Sequence, residues 1–578
     1  MTMVQNEGGS KPSKGWSGRV FRLARGIGAW LISPELRWRL LVLLAILAGL
    51  MYLKGQFDPG LGRPGLDGSF YYQIARNVAE GNGLTTNVSL YNQGLTSFPH
   101  PTNYAPAWPI TLGLVGKIFD LETAAHILPE LFYLASLLLL YSLVNTLVRR
   151  AGDRAGRRWH LGGRFVDIGH VAVLLLGTNR VFFEFTSMPY TEGMAFTMML
   201  AALVSADAAA RRRSLWLAGL AGAFACIAFM SRTQMIGIAV TLPAVLGILG
   251  FKDRRFFLMA LVAGAAEMVF YLPWAFWVAS WHPSLSLSAI TGMGTIRETS
   301  GLNFAQSIKT EGIDKTWNVV KQGLEVAFST DRRNSYFFSF GWGIFIVPLA
   351  LLQFVIHWSD IKGVFGRLFK ERNVLPVMMV LAAVLMLVPI HMEKRKFFKA
   401  WLFGWRHGLP FMLLISVSLG FLLIRRERIT KVITALLIAG ALMCGYDNIE
   451  ILFNKRYSPG LDGPEVPLVE WLDSQDPRPK VITAHAQILA TESRSYFHWN
   501  DCKTNWKHVE ALFEKAGADY LLVYPRHKRC GYFKQLNKRK KIERIKTFKR
   551  GWKIEVWGPS REGEPPDAAE GVTSRGKE

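Results

Sequence analysis

The stretch Leu128-Pro129-Glu130-Leu131-Phe132-Tyr133-Leu134-Ala135-Ser136-Leu137-Leu138-Leu139-Leu140-Tyr141-Ser142-Leu143-Val144-Asn145-Thr146-Leu147-Val148, closed by Arg149-Arg150, decides the fold class. An α-helix of about twenty apolar residues crosses a bilayer's hydrocarbon core. Comparable runs cover Leu40–Leu53, Val166–Leu176, Met194–Ala206, Leu215–Met230, Met235–Phe251, Phe256–Trp281, Phe337–Trp358, Leu375–His391, Leu409–Ile424 and Val432–Phe453, the shorter ones borrowing residues from their flanks. Together they make about eleven spans. With 50% hydrophobic and 12% aromatic residues in a chain of 578, the class is a polytopic α-helical membrane protein.

The formal charge of +25, 68 basic against 43 acidic residues, would suggest nucleic acid in a soluble protein. Here much of the excess lies where the positive-inside rule puts it. Lys11, Lys14, Arg19, Arg22 and Arg25 precede the first span, and Arg149, Arg150, Arg154, Arg157 and Arg158 follow the second. Arg211, Arg212 and Arg213 follow the fourth, and Lys252, Arg254 and Arg255 the sixth. Alternate loops are basic, which predicts a cytoplasmic N-terminus in an inner (plasma) membrane. An odd number of spans then places the C-terminal domain on the external, periplasmic side. Nucleic acid is not an expected partner. The first span lies late and no small-residue cleavage site follows it, so it reads as a retained helix. Before it, Trp16–Trp38 suits a basic amphipathic helix on the inner leaflet.

Four regions follow. Residues 1–38 form the basic cytoplasmic lead, 39–453 the membrane module, and 460–558 a small external α/β domain. Residues 559–578, rich in Gly, Pro, Glu and Ser, read as a disordered tail. Two external loops are long, 56–123 and 282–335, and large loops on one side of a membrane protein usually build a site there. In the C-terminal domain Val481–Ala484, Tyr520–Tyr524 and Trp552–Trp557 read as strands and His508–Ala516 as a helix, with no Gly-rich phosphate loop. Its basic stretch Lys538–Arg550 is most simply a solvated surface, or else one drawn to anionic headgroups. Cys226 and Cys444 fall inside apolar runs. Cys502 and Cys530 both fall in the external domain, where a disulfide between them and two free thiols are both compatible with the sequence. No metal-ligand spacing is present and no cofactor is expected, with dependence on a divalent metal left open.

The chemistry points to the first long loop. Leu66-Asp67-Gly68-Ser69-Phe70-Tyr71-Tyr72-Gln73-Ile74-Ala75-Arg76-Asn77-Val78-Ala79-Glu80-Gly81-Asn82-Gly83 puts an isolated carboxylate at the head of an Ala/Arg/Asn-rich helix that ends in Gly-x-Gly. Asp before Gly is an ordinary turn or N-cap residue. It also suits a general base acting on a hydroxyl beside a lipid, given partial desolvation and little competing charge. The nearest carboxylates are Asp58 and Glu80. No Asp-x-Asp or Asp-Glu pair stands here to hold a metal, which favours metal-independent chemistry.

This run resembles the first external loop of the polyprenol-phosphate-sugar-dependent glycosyltransferases of the GT-C superfamily. The likeness is greatest to bacterial members similar to glycosyltransferase family 39, a group that includes protein O-mannosyltransferases and the aminoarabinose transferase of lipid A. It continues in Tyr104-Ala105-Pro106-Ala107-Trp108-Pro109, where Ala105 departs from the family's frequent Pro-Pro. Further matching stretches are Pro189-Tyr190-Thr191-Glu192, Ser231-Arg232-Thr233, Leu272-Pro273-Trp274 and Trp405-Arg406-His407-Gly408-Leu409-Pro410. Their order along the membrane module carries the resemblance. It implies a GT-C-like fold with an external α/β tail domain, Asp67 as the catalytic acidic position and Arg406 as the arginine facing the lipid phosphate.

Charge placement supports Arg406 independently. Lys362–Arg372, Glu393–Arg406 and Arg425–Lys431 are successive basic loops separated by single spans, so the middle one faces opposite its neighbours. Its Lys394, Arg395, Lys396, Lys399, Arg406 and adjoining His407 stand against the positive-inside trend. A phosphate ligand supplies a reason, as do headgroups or the tail domain's acids. Glu192, Arg232 and Glu267 lie within or at the edges of spans, where ionisable residues usually line a cavity. Glu192 serves equally as a helix N-terminal acid, and Arg232 either pairs with it or touches substrate.

The resulting expectation is an inverting glycosyltransferase at the outer face of the membrane, using a polyprenyl-phosphate-linked sugar. Asp67 takes the proton of an acceptor hydroxyl as it attacks the anomeric carbon. Arg406, with His407, Lys394 and Lys399, stabilises the departing lipid phosphate. Tyr71, Tyr72, Tyr104, Trp108, Glu192 and Arg232 line or support the substrate site. The sugar and the acceptor, whether glycan, lipid or protein, are left unassigned. The alternative is a non-enzymatic flippase or transporter of a charged lipid or glycan, which the intramembrane charges would serve equally and the Asp67 loop less well.

Overall fold

A computed structural model describes residues 43–49, 66–89, 98–102, 105–150, 168–186, 189–281 (without 233, 234 and 252), isolated positions between 432 and 442, and 464–560 (without 501–504, 526 and 551). The chain passes through α1 (Leu66–Ala79), the short strands β1 (Thr85–Thr86), β2 (Val88–Ser89) and β3 (His100–Pro101), and α2 (Ala107–Gly116). Then come α3 (Leu121–Arg150), α4 (Ile168–Gly177), α5 (Arg180–Thr186), α6 (Thr191–Arg212), α7 (Leu215–Ser231), α8 (Ile236–Gly250) and α9 (Arg254–Trp281).

Among the described residues, helices over Leu121–Leu147, Thr191–Arg212 and Arg254–Trp277 are long and apolar enough to cross a membrane, while α2, α7 and α8 are apolar but shorter. The inner faces of α3 to α9 share one core that includes Tyr133, Leu137, Tyr141, Leu176, Phe182, Phe196, Leu200 and Leu242. Their outer faces are apolar too: Leu131 and Leu138 on α3, and Leu261, Val269 and Phe276 on α9, stand exposed. Helices with no polar face have hydrocarbon, not water, as their natural surroundings. Packing between them is close. A Cβ built on Gly222 of α7 would meet the Ala263 carbonyl oxygen of α9 at 2.1 Å, the close backbone approach that small residues permit in membrane helices.

The basic turns gather at one end of this bundle. Arg213, which ends α6 in a left-handed conformation at φ 50°, meets Asp253 at 2.9 Å, and Arg255 Nε donates to the Arg213 carbonyl at 3.1 Å. The start of α6, the end of α7 and the start of α8 therefore lie together at the opposite end.

The C-terminal part continues with α10 (Glu465–Asp473), β4 (Lys480–Thr483), α11 (Ala486–Glu492), β5 (Tyr496–Trp499), α12 (Trp506–Glu514), β6 (Tyr520–Val523), α13 (Gly531–Lys538), β7 (Ile542–Arg550) and β8 (Trp552–Pro559). One six-stranded sheet results, in the order β2-β5-β4-β6-β8-β7. β2, β5, β4 and β6 run parallel, and β8 and β7 are antiparallel. The period-two alternation of strands splits the side chains between two layers. Val481, Phe497 and Leu522 pack with α10, α11 and α1, whereas Ile482, Leu521 and Val523 pack with α12 and α13. The stretch Lys538–Arg550, read as a solvated surface, supplies the edge strand β7. Ile542 and Phe548 are buried while the charged residues between them face water, a pattern that discourages edge-to-edge pairing.

Candidate functional site

α1 occupies the junction between the helical bundle and the sheet. It ends because Gly81 and Gly83 adopt φ of 87° and 70°, left-handed values that glycine reaches without strain. Its two faces differ. Phe70 and Ile74 enter the core of the sheet with Leu468, Leu489 and Phe497. Ala75, Tyr71 and Tyr72 instead join a cluster with Trp108 and Leu112 of α2, Leu128 of α3, Met194 of α6, Met230 of α7 and Trp274 of α9. Asp67 lies in the first turn of α1.

α2 holds α1 against the bundle. A Cβ on Gly113 would sit 2.6 Å from the Ala75 carbonyl oxygen and 2.8 Å from Val78 Cβ, so the two helices approach where α2 has no side chain. Trp108 is fully buried, 0% exposed. Its indole N–H donates to the Pro189 carbonyl at 2.9 Å, and its ring meets Phe132 edge-on with centroids 6.0 Å apart. A ring enclosed in this way supports the loop, the second of the two roles expected of Trp108. Glu192, in the first turn of α6, and Arg232, which follows α7 in extended backbone, form an ion pair through Glu192 Oε1 and Arg232 Nη1. The carboxylate side chain is 1% exposed and the guanidinium side chain 10%. A charge this buried persists when paired. Of the two roles considered for Arg232, pairing with Glu192 is the one observed.

Tyr71, Tyr72, Trp108, Glu192 and Arg232 are thus brought to one end of the bundle, the end that carries α1. Tyr72 is pushed up to about 12, first by burial and then by the nearby Glu492 carboxylate, so its hydroxyl remains a donor at neutral pH. Burial also raises the Glu492 carboxyl. The Asp67 side chain and the residues Tyr104, Lys394, Lys399, Arg406, His407 and Cys502 lie outside the described residues. Cys530 is disulfide-bonded.

The first loop and the C-terminal domain, far apart in the sequence, are joined in the structure. β2 completes the sheet beside β5, with Val88 opposite Phe497 and Ser89 opposite His498. Asn77 Nδ2 donates to the Thr85 carbonyl and to Asn87 Oδ1, each at 3.0 Å, and Phe497 N–H donates to the Asn87 carbonyl at 2.7 Å. Arg76 Nη1 donates to the Thr491 carbonyl at 3.0 Å, and Nη2 to those of Ala490 and Ser493 at 2.8 Å. The available signal was an arginine in the last turn of a largely apolar and amide-bearing helix, with Glu80 as its nearest acid in sequence. Gln73 Nε2, His498 Nε2 and both polar atoms of the Asn500 side chain are buried without a hydrogen-bond partner among the described residues.

No protein-family model and no curated protein matches the sequence. Solved structures do. The chain is similar to the oligosaccharyltransferase of Archaeoglobus fulgidus, in a complex with zinc and sulfate, at a TM-score of 0.52 and 14% identity over 83% of this chain and 67% of that one. It is similar to ArnT from Cupriavidus metallidurans, bound to undecaprenyl phosphate, at a TM-score of 0.52 and 11% identity over 92% and 99% of the two chains. Mycobacterial arabinofuranosyltransferase AftD also matches, at a TM-score of 0.45 and 12% identity over 91% of this chain and 42% of that one. Identities this low speak to architecture alone. What the chain shares with the first two structures is their helical membrane fold.

Proposed function

We propose that this chain, on its GT-C architecture, is a glycosyltransferase that moves a sugar from a polyprenyl-phosphate-linked donor to an acceptor hydroxyl. One observation carries the reading. The helix that bears Asp67 in its first turn is fixed, from both sides, at the end of the bundle opposite the basic turns, within an architecture shared with ArnT bound to undecaprenyl phosphate. By the positive-inside rule the basic end faces the cytoplasm, so the Asp67 end is external. The disulfide at Cys530 supports the same side, because such bonds persist in oxidising compartments. Cys502 is the proposed partner.

In the proposed reaction Asp67 accepts the proton of the acceptor hydroxyl as that oxygen bonds to the anomeric carbon with inversion. The bond from that carbon to the phosphate oxygen breaks, and the lipid phosphate leaves as an anion. Arg406, with His407, Lys394 and Lys399 on its loop, supplies the positive charge that this anion needs. Tyr71 and Tyr72 shape the floor beside Asp67, and the Glu192–Arg232 pair and Trp108 hold that floor in place.

The test is turnover by purified Asp67→Asn protein, read as release of undecaprenyl phosphate from undecaprenyl-phosphate-linked sugars extracted from the host membrane. Loss of a general base lowers the rate by roughly 10²–10⁴-fold. Near-normal turnover in a folded Asp67→Asn variant ends the assignment. Movement of the intact lipid without sugar release would identify a flippase instead.

A further inference from the structure

Resting on the reading of Asp67 as base, we propose that Arg76 is a positioning residue for it, clamping α1 to the C-terminal sheet so that the tail domain sets where Asp67 is presented. Arg76 stands in the last turn of α1 and Asp67 in the first, nine residues or about 14 Å apart along the axis. The two terminal nitrogens of the guanidinium donate to the final carbonyls of α11, those of Ala490 and Thr491, and to that of Ser493 just beyond. These are carbonyls that a helix C-terminus leaves without intrahelical partners, at the negative end of its dipole. A planar fork across three carbonyls fixes rotation as well as distance, which a lysine's point charge does not.

The rest of the junction removes the remaining freedom. Arg494 Nε lies 3.4 Å from Glu80 Oε1, Thr86 Oγ1 donates to Gln73 Oε1 at 2.8 Å, and Asn87 Nδ2 donates to the Arg494 carbonyl at 3.3 Å. Phe70, one turn after Asp67, is buried among tail-domain side chains. A helix held over its whole length in this way passes any shift of the sheet directly to its first turn. Displacement of a reacting group by about 1 Å can cost 10²-fold in rate.

The experiment compares Arg76→Gln and Arg76→Lys with the parent, as full chains in detergent with native lipid. Hydrogen exchange is read across 68–79 and across 464–560, and turnover is followed as undecaprenyl phosphate release from host undecaprenyl-phosphate-linked sugars. In Arg76→Gln, exchange across 68–79 is expected to speed by about tenfold while 464–560 keeps its protection, and kcat to fall about 10–100-fold with donor KM within about twofold. Arg76→Lys falls between it and the parent. Arg76→Gln added to Asp67→Asn costs nothing further, as for two residues acting through one group. Unchanged α1 exchange, unchanged kcat, multiplying effects in the double variant, or protection lost throughout 464–560 in both variants would each overturn the proposal. Full turnover by Asp67→Asn alone removes the base, and with it the role of Arg76 towards it. The exchange arm still reports the clamp, so the two failures are distinguishable.

Discussion

Arg232 and Glu192 pair through single nitrogen and oxygen atoms where the end of α7 meets the start of α6, and the carboxylate side chain is 1% exposed. Removing one member of such a pair takes the counter-charge from a buried ion, at a cost of about 3–5 kcal/mol. Glu192→Gln and Arg232→Met are each expected to lower the thermal midpoint by several degrees. The double substitution Glu192→Leu with Arg232→Met should recover most of that loss. Midpoints in detergent measure it, and additive losses would show that the charges do not depend on each other.

Trp108 offers a different separation. Trp108→Phe keeps a buried ring and loses the donor to the Pro189 carbonyl, a change worth about 1–3 kcal/mol if that carbonyl is left unsatisfied. Trp108→Ala should cost about 3–5 kcal/mol. Because the ring is enclosed, both variants assayed well below their midpoints should keep the donor KM of the parent. A raised KM at full stability would place Trp108 in contact with substrate.

Gly113 tests the packing of α2 on α1. Gly113→Ala places a methyl group 2.6 Å from the Ala75 carbonyl oxygen, closer than any real contact, so the helices must separate. Overpacking of this kind costs about 1–3 kcal/mol. Turnover should fall further than the midpoint shift alone explains, since α1 carries Asp67. Parental kinetics would mean that α1 tolerates the shift.

The tail sheet is expected to be acid-sensitive. Burial, helped by Lys480 and His508, pushes the His498 imidazole down to about 4 from an ordinary 6.5. Burial lowers His485 and His527 as well. Between pH 4 and 6.5 the unfolded chain binds a proton at His498 that the folded one does not, so stability is complete above about 6.5 and is lost as pH falls towards 4. The loss at His498 approaches about 3 kcal/mol at pH 4. Unfolding midpoints of the parent and of His498→Gln from pH 4.5 to 7.5 should converge as the pH falls. Parallel curves would mean that His498 does not titrate in this window.

Several features were legible in the residues because they depend on local physics. The apolar runs at Leu128–Val148, Leu215–Met230 and Phe256–Trp281 fall within helices over Leu121–Arg150, Leu215–Ser231 and Arg254–Trp281. The runs Val481–Ala484 and Tyr520–Tyr524 overlap strands β4 and β6. Strands β5 and β7 carry no such signal. Tyr496-Phe497-His498-Trp499 is short and carries a histidine, and Ile542–Arg550 is so charged that its buried Ile542 and Phe548 are diluted. The helix Trp506–Glu514 begins two residues before the reading placed it, at the Asn505 side chain that caps it by accepting from Lys507 N–H.

By itself the sequence determined the helical membrane class, the sign and spacing of the basic turns, and the presence of a carboxylate at the head of a loop helix. Those follow from hydrophobic length, charge and composition, which act locally. Only the tertiary structure decided that Trp108 packs inside, that Glu192 and Arg232 pair, and that Val88–Ser89 of the first loop completes a sheet formed more than 390 residues later, between Val88 and Phe497. The reason is physical. A buried charge or an unpaired strand edge states a need, and any complementary group along the chain could meet it. Which one does is settled when the fold brings Arg76 to the end of α11.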